Sequence, residues 1–172
     1  MELHTPRLRL VAQTARLARL ESSLDALAGA LDAEVPTSWP PEEMSAAIGS
    51  WTEELSATPK LVGWVNWYWL ARADPRQVLI GYGGFKGMPD GDGNVELGYA
   101  VLEEHQRRGY AFEALSELIR WAHADRRVRR IAAEARVELI PSIRLLEKLG
   151  FRRLPRTDPE VLRYALDRST DS

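Results

Sequence analysis

The chain has 172 residues, a net charge of −2 and no cysteine. That length fits one compact domain over residues 1–172, with 167–172 as a flexible tail. The near-zero charge argues against a nucleic-acid binder, and the lack of cysteine excludes disulfides, thiolate metal sites and cysteine nucleophiles. With neither a signal-peptide pattern nor an apolar run of membrane-spanning length, we expect a cytoplasmic protein that does not enter a membrane.

The N-terminal third predicts one strand followed by two helices. Arg7–Leu10 alternates in polarity and indicates the strand. Apolar residues between Ala15 and Leu31 recur on one helical face and predict a single helix over that range. A second helix is expected to begin near Pro40, because proline followed by acidic residues is typical of a first turn, and to end at Pro59.

Three strands are expected in the middle of the chain. Leu61–Leu70 is apolar on both faces, which favours a central strand covered on both sides. Gln77–Phe85 and Asn94–Val101 follow after short turn segments. Short connections between successive strands predict an antiparallel meander.

The last third alternates helices and strands. Ala111–His123 has the strongest helical periodicity in the chain, and Val128–Ala135 predicts a strand that pairs in parallel after the crossover. Pro141 suits the start of a short helix, which Gly150 ends before a final strand. The predicted fold class is α+β: a mixed, mostly antiparallel twisted sheet with helices on both faces.

A basic loop joins the third middle strand to the periodic helix and is the best candidate binding element. Its residues are Gln106, Arg107, Arg108, Gly109, Tyr110 and Ala111. Glycine permits close approach of a ligand to the backbone, and the first amides of a helix can bind an anion. The alternative is an ordinary surface turn with two solvated arginines.

Three segments together resemble the GNAT N-acetyltransferases. They are Glu96–Val101, Gln106–Ala111 and Ser142–Phe151. The opening segment Thr5–Leu10 is similar to the first strand of the branch that contains the ribosomal-protein N-terminal acetyltransferases. The resemblance extends in order over essentially the whole chain.

The resemblance implies acetyl-CoA as cofactor and an amine acceptor, either a protein N-terminus or a small molecule. The pantetheine arm is then expected along Tyr99, Ala100 and Val101, in a splay between two strands. The pyrophosphate is expected on the amides from Gln106 to Ala111. Ser142 is expected near the thiol end of the cofactor.

Glu96 is the candidate general base, because it matches the acidic strand position of the family. An alkylamine is mostly protonated at neutral pH, with a pKa of about 10.4, so a proton must be removed before attack. Glu96 shares a strand face with the small residues Gly98 and Ala100, and a backbone amide near Val101 is a candidate oxyanion donor. The alternative for Glu96 is an ion-paired or solvated carboxylate.

Two positions depart from the family pattern. Leu139 replaces an asparagine common in relatives, and Leu146 stands where other members of the superfamily have a tyrosine that protonates the leaving thiolate. Leucine has no polar side-chain group, so it can replace neither the asparagine nor the tyrosine. These departures leave a second hypothesis open, an acyl-CoA-binding regulatory or interaction module with little catalysis.

Other patterns are less specific. A tryptophan cluster has core packing as its favoured role and an acceptor-pocket wall as the alternative: Trp64, Trp67 and Trp69. Six acidic residues either are solvated surface side chains or attract a cationic acceptor. They are Asp32, Glu34, Glu42, Glu43, Glu53 and Glu54. The three histidines lack metal-ligand spacing, so no metal is expected. A homodimer is possible in such folds, but the sequence does not decide it.

Overall fold

The computed structural model describes residues 1–42, 44, 51–72 and 75–169. The strands are β1 Glu2–His4, β2 Leu8–Ala12, β3 Asn66–Ala71, β4 Val78–Phe85, β5 Asn94–Val101, β6 Arg130–Arg136, β7 Arg152–Arg153 and β8 Val161–Asp167. The helices are α1 Ala15–Leu20, α2 Leu24–Leu31, α3 Thr52–Ala57, α4 Tyr110–Ala124 and α5 Ile140–Lys148. Among the described residues, no helix is long and apolar enough to cross a membrane.

The strands form one sheet of eight, in the order β1-β2-β3-β4-β5-β6-β8-β7. The predicted meander of β3, β4 and β5 is confirmed, and β5 pairs in parallel with β6 across the α4 crossover. All other neighbours are antiparallel. The predicted mixed, mostly antiparallel α+β fold is therefore confirmed, with β1 as an additional edge strand that the sequence did not predict.

The single helix predicted over Ala15–Leu31 is wrong, because the structure has two short helices there. Thr14 accepts a hydrogen bond from the amide of Leu17 at the start of α1, and Ser23 caps α2 in the same way. Between them the buried carboxylate of Glu21 accepts a hydrogen bond from Tyr68 on the sheet, with an O–O distance of 2.5 Å. Helical periodicity continues through this break, but the first helix ends at the buried Glu21 and the Ser23 cap begins the second.

The central strand also begins later than expected. The segment Pro59–Leu61 forms a 3-10 turn, so β3 starts at Asn66 rather than Leu61. Every residue of β3 is buried, as a central strand covered on both faces should be. Of the helix predicted to begin near Pro40, residues 43 and 45–50 lie outside the described part of the chain, and α3 covers only its last portion.

Two apolar clusters cover the two faces of the sheet. Residues of α4 and α5 pack on one face together with the alternating residues Val95, Leu97 and Val101 of β5. Helices α1 and α2 pack on the other face against Tyr68 and Tyr82. Because side chains alternate along a strand, the face of β5 that carries Glu96, Gly98 and Ala100 is the α1 and α2 side.

The tryptophan cluster belongs to the core, as its favoured role required. Trp67 and Trp69 are fully buried and Trp64 nearly so, all in the cluster on the α4 side. The ring of Trp121 from α4 lies 4.8 Å from that of Trp64 and 5.5 Å from that of Trp67. These aromatic contacts hold the last turns of α4 against the sheet.

Candidate active site

The sheet opens between β5 and β6 at the end nearest the basic loop. The parallel ladder stops at the pair Leu97 and Ala133, whereas β5 continues to pair with β4 as far as Val101. Strand β6 pairs with β8 over its whole length, from Arg130 to Arg136, so its residues after Ala133 have a partner on the β8 side alone. The last residues of β5 therefore border a gap on their β6 side.

The peptide groups that face this gap can be assigned from the hydrogen bonds of β5. The amide of Lys86, which follows β4, donates to the carbonyl of Glu96, so even-numbered residues of β5 turn their peptide groups toward β4. Backbone groups of alternate residues point to the same edge of a strand. The peptide groups of Tyr99 and Val101 therefore face the gap, and the carbonyl of Val101 accepts a hydrogen bond of 2.9 Å from the side chain of Gln106.

The basic loop leads directly from the gap to the start of α4. Gly109 precedes the helix with φ of 79°, and Arg107 also has a positive φ, of 58°. The first backbone hydrogen bond of the helix runs from the amide of Glu113 to the carbonyl of Gly109. The amides of Tyr110, Ala111 and Phe112 come before it and have no intrahelical acceptor, which is the arrangement that binds anions at helix N-termini.

Ser142 and Tyr99 meet across the gap. Ser142 lies in the first turn of α5, the helix that follows β6. Burial raises the pKa of the Tyr99 hydroxyl, and the neighbouring Ser142 side chain offsets part of that effect. The hydroxyl is buried, yet no described residue offers it a hydrogen bond of good geometry. A buried polar atom of this kind beside a gap is consistent with a site that a polar ligand completes.

The two leucines that depart from the family pattern have different environments. Leu146 is 1% exposed and packs in the core beneath α5, so it contributes apolar contacts rather than a proton. Leu139 precedes the first residue of α5 and is 40% exposed. It provides no side-chain hydrogen bond to the start of that helix.

Glu96 lies on β5 before the gap and forms an ion pair with Lys86. Both side chains are partly exposed, so the pair is accessible to solvent and to small solutes. Beside it, a Cβ placed on Gly98 would meet only the Lys86 side chain, at 3.9 Å. The ion-paired state is the alternative that the sequence left open for Glu96, and it coexists with open space above Gly98.

Two cavities border the loop. One of about 650 Å³ lies beside Gly109, between the first turns of α4 and the end of α5; Arg7, Phe112 and Lys148 are among its lining residues. The other, of about 430 Å³, is lined by Val101 and Gln106 and by three acidic residues, Glu42, Glu103 and Glu104.

One carboxyl group of the acidic cavity, that of Glu104, has a lowered pKa. A hydrogen bond of 2.5 Å from the Ser38 hydroxyl lowers the pKa of Glu104. Of the acidic residues singled out in the sequence, Glu42 lines this cavity, whereas Glu53 and Glu54 are exposed on α3. Glu43 lies outside the described residues. Within the described residues, no group of three histidine or acidic side chains could hold a metal ion.

Residues 11–152 match the family model described as an acetyltransferase (GNAT) domain. The chain belongs to the GNAT acetyltransferase family. Among curated relatives, YjdG of Bacillus subtilis, described as an uncharacterized N-acetyltransferase, is 35% identical over 150 residues, which are 87% of this chain and 88% of that protein. The GNAT chain is thus an N-acetyltransferase by family and matches this relative over nearly its full length.

Solved structures share the fold of this GNAT chain at low sequence identity. A ribosomal-protein alanine acetyltransferase from Vibrio fischeri has a TM-score of 0.67 at 15% identity, with 99% of this chain and 98% of that chain covered. RimL, a ribosomal alpha-N-protein acetyltransferase in complex with coenzyme A, has a TM-score of 0.64 at 16% identity, with 97% and 98% covered. These neighbours show that the chain shares their fold over nearly its whole length.

The structure brings together the gap, the loop and the start of α5, which the sequence predicted to lie close to one another. Two sets of contacts were not predicted from the sequence. One is the hydrogen bond from the Gln106 side chain to the Val101 carbonyl, and the other is the set of bonds from Thr5 and Arg7 to Glu113, near the start of α4. The only signal for the latter was a threonine and an arginine around a turn proline near the N-terminus, which does not identify a partner over a hundred residues away.

Proposed function

We propose that this protein transfers an acetyl group from acetyl-CoA to a primary amine. One observation carries the proposal: the gap beside the end of β5 leads, through the eight residues 102–109, to a helix N-terminus with free amides. A thioester carried on a flexible arm with a pyrophosphate at its base needs these two elements in this order. Acetyl-CoA supplies the activated acetyl group.

The residues of the gap and loop suit that donor. The peptide groups of Tyr99 and Val101 offer hydrogen bonds to an amide-bearing pantetheine arm, with Ala100 between them on the same strand. The amides from Gly109 to Ala111, with the charges of Arg107 and Arg108, suit the pyrophosphate. The cavity of about 650 Å³ beside Gly109 has room for the nucleotide end. Ser142 closes the gap from the α5 side.

The chemical step requires little more than orientation and removal of a proton. The amine nitrogen bonds to the acetyl carbon, the carbon–sulfur bond breaks, and the amine proton is lost. We propose that Glu96 takes this proton, directly or through water, after Lys86 is displaced from the ion pair. The N–H group of Tyr99 or Val101 is placed to stabilise the negative charge on the acetyl oxygen.

The acceptor is a primary amine, either a protein N-terminus or a small molecule. The three carboxylates of the acidic cavity favour a cationic acceptor over a neutral one. Replacing both Glu103 and Glu104 by glutamine should raise the KM of a cationic amine several-fold at low salt, since exposed charges act weakly and are screened. Acetyl-CoA KM should not rise, because the two removed charges have the same sign as the pyrophosphate. An unchanged amine KM in that variant would remove the acidic cavity from the acceptor site.

The second candidate function is that of an acyl-CoA-binding module with little turnover. The observation in its favour is Leu146, which is buried in the core where other superfamily members place a proton donor. A thiol of pKa about 8.5 leaves readily without such a donor, so we favour the enzyme.

Thiol release from acetyl-CoA decides between the two functions. Purified protein is incubated with acetyl-CoA and a panel of peptides, polyamines and amino acids, and free thiol is measured together with the mass of each amine. Amine-dependent thiol release with a mass gain of one acetyl group supports the enzyme. Coenzyme A binding without release for any amine supports the binding module.

A further inference from the structure

The turn between β1 and β2 is bonded to the first turn of α4. The Thr5 hydroxyl and the Arg7 amide both donate to one carboxylate oxygen of Glu113, at 2.5 and 2.8 Å. The Nε of Arg7 donates to the other oxygen at 2.6 Å. Both oxygens of the Glu113 carboxylate are therefore held by residues near the N-terminus, and this side chain is only 16% exposed.

Arg7 also contacts the loop itself. Its Nη1 donates to the carbonyl of Arg108 at 2.9 Å, and its guanidinium lies over the ring of Tyr110, 4.7 Å from the centroid. Its Nη2 lies 3.3 Å from the position that a Cβ would take on Gly109. One side chain thus touches three consecutive residues of the candidate phosphate-binding loop and helix start.

The position of Glu113 explains why such contacts matter. A carboxylate in the first turn stabilises a helix. The same carboxylate lies where an anionic ligand would bind, and its charge would repel that ligand. Partial burial acts to raise the pKa of Glu113, yet the hydrogen bonds from Thr5 and Arg7 more than offset this and lower that pKa. The carboxylate is consequently charged at neutral pH, and its charge is balanced by Arg7.

We propose that Arg7 is a positioning residue of the coenzyme A site, which balances the charge of Glu113 and fixes the Arg108–Gly109 peptide so that the helix amides can take phosphate. The inference rests on the proposed function, since it assumes that the phosphate-bearing ligand is coenzyme A. It assigns a role to the Thr5–Arg7 turn, which lies outside the residues expected to bind the cofactor.

Calorimetric titration with coenzyme A tests this role through a pair of substitutions. Arg7→Gln should weaken binding about tenfold, the order expected for loss of a charged hydrogen-bonding group beside an anion. Glu113→Gln alone should tighten binding about threefold, because it leaves Arg7 as an uncompensated cation. The double variant should recover at least half of the logarithmic loss caused by Arg7→Gln. A purely structural role of Arg7 gives no such recovery.

Two further variants control for folding and for general charge. Arg7→Lys keeps the charge but loses the planar fork that contacts both Glu113 and the Arg108 carbonyl, so its coenzyme A affinity should lie between those of the natural protein and Arg7→Gln. Arg127→Gln removes an arginine paired with Asp125 at the far end of α4, and should leave coenzyme A binding unchanged.

The outcomes separate this inference from the proposed function. If the natural protein does not bind coenzyme A, the proposed function is overturned. If it binds and Arg7→Gln binds equally well, only the role of Arg7 is overturned. The same follows if the double variant shows no recovery, or if Arg7→Lys loses as much affinity as Arg7→Gln.

Discussion

A buried polar network between α1 and the sheet should make a measurable contribution to stability. The Glu21 carboxylate accepts hydrogen bonds from the Tyr68 hydroxyl at 2.5 Å, the Gln13 amide at 2.9 Å and the Tyr82 hydroxyl at 3.2 Å. Tyr68 and Tyr82 are fully buried, and Glu21 is 7% exposed. Tyr68→Phe removes the shortest of these bonds and adds no volume.

The expected loss follows from the charge and burial of the acceptor. A hydrogen bond to a charged group contributes about 1.5–3 kcal/mol, and a buried partner left with one fewer donor keeps its desolvation cost. For a chain of this length the unfolding entropy is about 0.36 kcal/mol/K, from roughly 2.1 cal/mol/K per residue. Tyr68→Phe should therefore lower Tm by about 4–8 °C.

Urea denaturation and calorimetry measure this loss, with Tyr164→Phe as the matched control. Tyr164 is fully buried on the opposite face, and no described residue accepts a hydrogen bond of good geometry from its hydroxyl. The control loses no hydrogen bond of good geometry, so it should lower the free energy of unfolding much less than Tyr68→Phe does. Equal losses in the two variants would refute the assignment of stability to the Glu21 network.

The same network should make the free energy of unfolding depend on pH in the alkaline range. Burial, reinforced by the Glu21 charge, raises the pKa of Tyr68 and Tyr82 well above the ordinary value. Their stabilising effect is complete below the unfolded pKa of about 10 and is lost as pH rises, because the unfolded chain then releases protons that the folded chain retains. Each tyrosine adds up to about 1.4 kcal/mol per pH unit to the decline above pH 10. Tyr68→Phe should reduce the slope of the free energy of unfolding against pH by that amount, and an unchanged slope would contradict the argument.

Four further substitutions have expected outcomes. Gly84→Ala would place a Cβ 2.2 Å from the carbonyl oxygen of Val65 and should cost at least about 1–3 kcal/mol in urea denaturation, whereas Gly29→Ala, with open space around its Cβ in α2, should not destabilise. Glu96→Gln should lower kcat by about a hundredfold to ten-thousandfold with unchanged coenzyme A affinity, and the deficit should shrink as pH rises because more of the amine is then neutral; full activity at neutral pH would make Glu96 structural. Gly109→Val forces a β-branched residue to a φ of 79° and should abolish calorimetric binding of coenzyme A, so retained affinity would remove the loop from the site.

Local patterns predicted most of the fold correctly. Strand β5 has the bounds that alternation predicted, and α4 differs from its prediction by one residue at each end. The error between Ala15 and Leu31 arose because helical periodicity reports local spacing, whereas Glu21 is held by tyrosines about fifty residues away. The cap at Ser23 was the one local signal for the break.

The candidate site was predicted only in part, for a similar reason. The loop residues are contiguous, so their glycine and arginines are visible in the sequence. The gap beside Tyr99 depends on where the pairing of β5 and β6 ends, which no residue pattern in either strand marks. The contact of Arg7 with Glu113 spans 106 positions, and only the folded sheet brings the N-terminal turn to the start of α4.

A crystal structure with coenzyme A tests the central claim most directly. The account predicts pyrophosphate oxygens within hydrogen-bonding distance of the amides of Gly109, Tyr110 and Ala111. It also predicts a pantetheine arm in the gap between β5 and β6, bonded to the peptide groups of Tyr99 and Val101, with its thiol toward Ser142. Coenzyme A bound elsewhere, with the gap closed or the loop amides unoccupied, would contradict the account.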